Sequence, residues 1–222
     1  MIIIRIELKL SIIILLANQI VFFYRPRLVF EKELSLRNAE VIKYPEIAQT
    51  YYGELSDKPD FYKIISEKDF DLYFKIMVPD IPDARTDFTV EIYGENKNII
   101  LDGAHYEWEE SYERLTGNNY LVGPSYEETL EKGEYLMQVY NGDNQGKYLL
   151  VIGRNKTFSL IDAINTIWLM PKIKTFMERS ILTAYFNQIG IILFTLLLAV
   201  ILFISIIILY CQYRAMTKYE RM

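Results

Sequence analysis

Between Ser180 and Tyr213 the chain carries no Asp, Glu, Lys or Arg. The centre of that stretch, Ile189 to Leu209, reads IGIILFTLLLAVILFISIIIL. Rising about 1.5 Å per residue, a helix through it spans about 30 Å, the thickness of a bilayer's hydrocarbon core. Tyr185, Phe186, Tyr210 and Tyr213 flank it, where interfacial aromatic residues belong. The alternative is a buried core helix of a soluble protein, but soluble helices rarely run past about 18 residues without a charge. The run therefore predicts a transmembrane helix over 185–211, followed by a short cytoplasmic tail over 212–222.

The N-terminus is apolar too, reading MIIIRIELKLSIIILLANQIVFFY from Met1 to Tyr24. Arg5 and Lys9 precede the uncharged run from Leu10 to Tyr24, as in the n-region of a signal sequence. No small-x-small cleavage site follows, since Asn18 and Gln19 succeed Ala17. The segment 1–24 is expected to be an uncleaved signal-anchor or second transmembrane helix, with a cleaved signal peptide as the alternative. Arg214, Lys218 and Arg221 in the tail and Arg5 and Lys9 at the start are basic flanks. By the positive-inside rule both ends lie in the cytoplasm, leaving the middle extracytoplasmic at the cell membrane. Arg25, Arg27, Lys172 and Lys174 on the outer flanks run against this orientation.

From Glu46 to Asp143, Asp and Glu outnumber Lys and Arg by more than two to one. Such a domain repels phosphate backbones, which argues against nucleic acid as a partner. From Val151 to Ser180 the balance reverses, with Arg154, Lys156, Lys172, Lys174 and Arg179 against Asp162 and Glu178. A basic collar beside a membrane helix suits anionic lipid headgroups, so the lipid bilayer is the first expected partner. Cys211 is the only cysteine, so the middle domain has no disulfides, which points to a prokaryotic source.

The middle of the chain alternates with period two. Leu72, Phe74, Ile76 and Val78 share one face against Tyr73, Lys75 and Met77. Phe88, Val90 and Ile92 make a second inward row, Tyr135, Met137 and Val139 a third, and Tyr148, Leu150 and Ile152 a fourth. An earlier strand passes through Phe61 to Ile64. Turn residues separate these runs at Pro79–Asp83, Gly94–Asn96, Lys132–Glu134 and Asn141–Gly146. The expected fold is mainly β, an antiparallel β-sandwich over 48–153. A linker over 25–47 precedes it and an amphipathic juxtamembrane segment over 154–184 follows.

Several stretches resemble the bacterial prepeptidase C-terminal (PPC) domain. Tyr52-Gly53-Glu54-Leu55 and Asp60-Phe61-Tyr62 are similar to that family's opening Gly-x-Leu and Asp-x-Tyr segments. Gly133-Glu134-Tyr135 through Val139-Tyr140, then Gly146-Lys147-Tyr148 through Val151, is similar to its closing strands. The resemblance covers roughly residues 48–153 and implies a jelly-roll-like sandwich that serves as a non-catalytic appendage of surface proteins. A long insertion, Asp102 to Tyr120, departs from the common form.

Motifs of catalysis are missing. There is no H-E-x-x-H, G-x-S-x-G, P-loop or G-x-G-x-x-G, and His105 is the only histidine. Asp80, Asp83 and Asp87 share one loop and are weak candidates for calcium ligands, because hard cations take carboxylate oxygens. No other cofactor is implied. These carboxylates, with Glu107, Glu109, Glu110 and Glu113 of the insertion, also carry the alternative reading, a metal-assisted hydrolase.

Thr157 to Arg179 places Phe158, Ile161, Ile164, Trp168, Ile173 and Phe176 at helical spacing around Pro171, which breaks or kinks the helix. This stripe is expected to face the membrane or a protein partner. The chain is accordingly read as a non-catalytic, membrane-anchored extracytoplasmic binding module, with an accessory subunit of a membrane or cell-surface complex as one form.

Overall fold

A computed structural model describes residues 25–30, 32–95, 97–114, 116–157 and 160–219. The segment 1–24, expected as signal-anchor or second span, lies outside the described residues, as does Phe158.

Among the described residues, eleven strands form two mixed sheets. In chain order they are β1 (Arg25–Leu28), β2 (Glu40–Ile42), β3 (Gln49–Ser56), β4 (Asp60–Ser66), β5 (Phe70–Pro79) and β6 (Thr89–Tyr93). Then come β7 (Asn98–Asp102), β8 (Glu109–Glu113), β9 (Asn118–Leu130), β10 (Gly133–Tyr140) and β11 (Gln145–Ile152). Helix α1 (Leu160–Phe176), a 3-10 turn (Ile181–Thr183) and helix α2 (Gln188–Tyr219) close the chain. One sheet runs β1-β3-β11-β5-β9-β8 and the other β2-β4-β10-β6-β7.

The inward rows of the two sheets meet in one core, a sandwich-like arrangement. Tyr51, Leu72, Phe74, Ile76, Tyr148 and Leu150 come from the first sheet, and Tyr62, Ile64, Val90, Ile92, Met137 and Val139 from the second. Residues two apart on a strand share a face, so each apolar row in the sequence becomes one wall of this core. On the five-stranded sheet the other face is wetter, and β7 alternates buried and exposed along its whole length.

The six-stranded sheet differs, because Tyr148 through Ile152 are buried without alternation. A strand that is apolar on both faces needs cover on both. Here the second cover is α1. Tyr52, Met77, Tyr120, Leu149 and Val151 on the outer face pack with Met170, Ile173, Phe176 and Met177, and with Ala184 and Ile189. The Phe176 ring stands edge-on to Tyr52 at 5.6 Å and lies 5.1 Å from Phe30.

The expected antiparallel sandwich needs correcting in one place. Residues 25–47 are not a linker: β1 pairs parallel with β3, and β2 pairs parallel with β4. Val29, Leu34 and Ile42 from this segment are buried in the core. Pro26 can sit in β1 because an edge strand tolerates a missing N–H. The insertion Asp102 to Tyr120 supplies β8, which pairs antiparallel with β9 at the outer side of the sheet. Trp108 anchors it, packing against the core while its indole donates to the Gly103 carbonyl at 2.9 Å.

Helix α2 has 32 residues and is about 48 Å long. It is long and apolar enough to cross a membrane, with a mean hydropathy of 3.4 over an 18-residue window. It continues as helix through residues 212–219, the first part of the expected tail.

Candidate functional site

The turn between β8 and β9 receives both helices. Lys174, in the last turn of α1, donates to Asn118 Oδ1 at 2.6 Å and to the Gly117 carbonyl at 3.2 Å. It is only 3% exposed. Burial pushes its pKa down, Arg179 adds to that, and Glu113 opposes both. Asn187 caps α2, its Oδ1 accepting from the Gly190 N–H at 3.1 Å, the bond an N-cap makes to the third helical residue. Its amide donates to the Thr116 carbonyl at 3.1 Å and to the Ala184 carbonyl at 2.7 Å. Gly190 is needed at this bend, since a Cβ there would fall 1.5 Å from the Tyr185 carbonyl oxygen. One turn of the six-stranded sheet thus holds the end of α1 and the root of α2.

The second tie crosses from Tyr185 to α1. Pro171 cannot donate to Ile167, four residues back, yet α1 runs on through it to Phe176. The Tyr185 hydroxyl donates to that vacated Ile167 carbonyl at 3.1 Å. The helix is not broken because the orphaned acceptor has a donor from elsewhere in the chain.

Beneath α1, across the outer face of the six-stranded sheet, lies a cavity of about 230 Å³. Met77, Leu149, Val151 and Ile173 are among its apolar lining, and Lys75 and Glu113 bring charge to it. Glu113 accepts from Thr116 Oγ1 at 2.6 Å and from the Tyr120 hydroxyl at 3.4 Å. Burial raises the Glu113 pKa, and those hydrogen bonds, Lys75 and Lys174 hold it down. Burial lowers that of Lys75, and Glu113 opposes it. Each group sustains the other's charge away from water. This carboxylate and amine were not singled out from the sequence. The signal was present for Lys75, a charge inside the otherwise apolar run from Leu72 to Val78 of β5, whereas Glu113 ends a strand already rich in glutamate.

The expected site residues separate. Ile161, Ile164 and Trp168 face outward, Trp168 being 77% exposed. Ile173 and Phe176 do not face a membrane or partner: both are buried against the chain's own sheet. The reason is the apolar outer face of β3, β11 and β5, which needed a cover and took the nearest apolar helix face. Among the described residues no three His, Cys, Asp or Glu side chains gather where a metal could sit. Asp87 instead takes two hydrogen bonds from Arg85, which also bridges to Asp143. Asn141 Oδ1 accepts from the Gln145 N–H at 3.0 Å, closing the β10–β11 hairpin. His105 is exposed and pairs with Asp102 at 2.7 Å.

No protein-family model and no curated protein matches the chain. Among solved structures, the prepeptidase C-terminal domain of a collagenase from Bacillus anthracis is similar at 13% identity and a TM-score of 0.33. The alignment covers 55% of this chain and 96% of that domain. A β-glucosidase from Kluyveromyces marxianus is similar at 18% identity and a TM-score of 0.26, over 51% of this chain and 13% of the enzyme. At those scores neither likeness decides the fold or the activity of this chain.

Proposed function

We propose that this chain is a membrane-tethered, non-catalytic binding or interaction module, with α2 crossing the cell membrane and the sheets on its extracytoplasmic side. The observation that carries the reading is the double tie of Lys174 and Asn187 to one turn. A flexible tether would let the sheets swing freely. This joint, with Ile189 buried beside it, presents them at one angle to α2. An accessory subunit of a membrane or cell-surface complex needs such a set orientation, and a protein partner there is part of the proposal. So are the jelly-roll-like reading of the strands and the kinship with PPC domains. The metal-assisted hydrolase finds no support in the acidic loops, where Asp87 is engaged by Arg85.

Carbonate extraction of membranes and protease treatment of intact cells test this reading. The chain is expected to stay with the membrane, the sheets to be digested from outside, and a C-terminal tag to be protected. Release by carbonate, or protection of the sheets, would sink it.

A further inference from the structure

We propose that the outward face of α1, formed by Ile161, Ile164 and Trp168 and continued by Leu182 and Phe186, docks into the lipid interface beside α2. The proposal rests on reading α2 as a span.

Helix α1 is apolar on two sides. Its inner side, Met170, Ile173 and Phe176, is buried on the sheet. Ile161, Ile164 and Trp168, three and four residues apart, form one stripe on the other side, and all three are exposed. Each apolar side of a helix needs cover, and the sheet covers only the inner one. Rotation cannot hide the outer stripe, because Lys174 is fastened to the β8–β9 turn and Phe176 is wedged between Phe30 and Tyr52.

Position identifies the cover. The hydrogen bond from Tyr185 to Ile167 fixes the middle of α1 beside the chain three residues ahead of α2. Trp168 follows Ile167 and so lies near the level where α2 begins. Leu182 and Phe186 are 83% and 84% exposed, and the exposed surface continues through Ile191 and Phe194 on α2. The apolar surface of α1 is therefore continuous with a surface that lipid covers. Chemistry agrees, since tryptophan is enriched at the headgroup level, and the exposed Lys172 and Arg179 flank the stripe as anionic headgroups require. A second copy of the chain or another protein would have to cover the same stripe while α2 stands in the bilayer next to it.

The test uses the full chain reconstituted in phosphatidylcholine–phosphatidylglycerol vesicles. Tryptophan emission is quenched either by lipids brominated at shallow acyl positions or by aqueous acrylamide. Trp168→Phe isolates the Trp168 component from Trp108. Bromolipid is expected to remove more than about half of the Trp168 component, as for an interfacial helix, with acrylamide removing little. Quenching by acrylamide alone would put the stripe in water and overturn the proposal. Quenching by neither would overturn it in favour of a protein cover. Carbonate extraction of the same vesicles separates the two readings. A chain that resists carbonate while Trp168 is quenched by acrylamide refutes the docking of α1 only.

Discussion

The hydroxyl of Tyr148 on β11 donates to the carboxylate of Asp60 on β4 at 2.6 Å, joining the two sheets across the core. The Tyr62 hydroxyl pairs with the same tyrosine at 2.7 Å. Burial pushes the Asp60 pKa up to about 6, and the bond from Tyr148 works against that shift. Because the pKa is raised, the folded state favours the protonated acid. Its contribution is complete below the ordinary value of 3.8 and is lost as pH rises through about 6. Asp60→Asn keeps an acceptor for Tyr148 without the charge. The variant is expected to be the more stable form at pH 7, by up to about 3 kcal/mol, with no advantage below pH 4. Thermal unfolding of both proteins in detergent across that range, followed by near-ultraviolet circular dichroism, checks the crossover.

The joint at the β8–β9 turn can be dissected with two substitutions. Lys174→Met keeps the packing but strands the Asn118 and Gly117 acceptors, at an expected cost of about 1–3 kcal/mol. Asn187→Ala removes the cap of α2, at about 1 kcal/mol. Since both residues hold one turn, the double variant is expected to depart from additivity. Hydrogen exchange at Thr116–Asn118 and at the first turn of α2 reads the loss. Additive effects with unchanged exchange would show that the turn does not couple the helices.

Two aromatic residues on α1 should behave in opposite ways in detergent. Phe176→Ala opens a cavity between helix and sheet and is expected to cost about 3–5 kcal/mol. Trp168→Ala changes an exposed position and is expected to stay within about 0.5 kcal/mol. Chemical denaturation midpoints compare them, and equal losses would contradict the assignment of the two faces.

Gly53 gives Tyr148 its room, since a Cβ there would lie 2.2 Å from the ring. Gly53→Ala is expected to displace that ring and destabilise the sheets by about 1–3 kcal/mol. A shift in the Tyr148–Asp60 contact should accompany it, visible as a changed pH dependence of unfolding.

Period-two alternation in the chain located β4, β5, β6, β10 and β11, because a half-buried strand writes its pairing face directly into its residues. It could not reveal β1 and β2. Those are short edge strands whose parallel partners, β3 and β4, complete them, and RPRL carries no alternation of its own. Tyr148, Leu150 and Ile152 were expected as one inward face, whereas burial without alternation from Tyr148 to Ile152 demands cover on the outer face as well.

The apolar length of α2 follows from composition alone, because an uncharged run of that length reads the same in any fold. The two sides of α1 do not. Ile164, Trp168, Ile173 and Phe176 are all apolar at helical spacing, so periodicity assigns a helix without saying which side meets protein. The outer face of β3, β11 and β5 decided that by taking Ile173 and Phe176, and the ties of Lys174 and Tyr185 then set the rotation. Burial of one apolar side against a particular sheet depends on residues far apart in the chain, and only the folded structure brings them together.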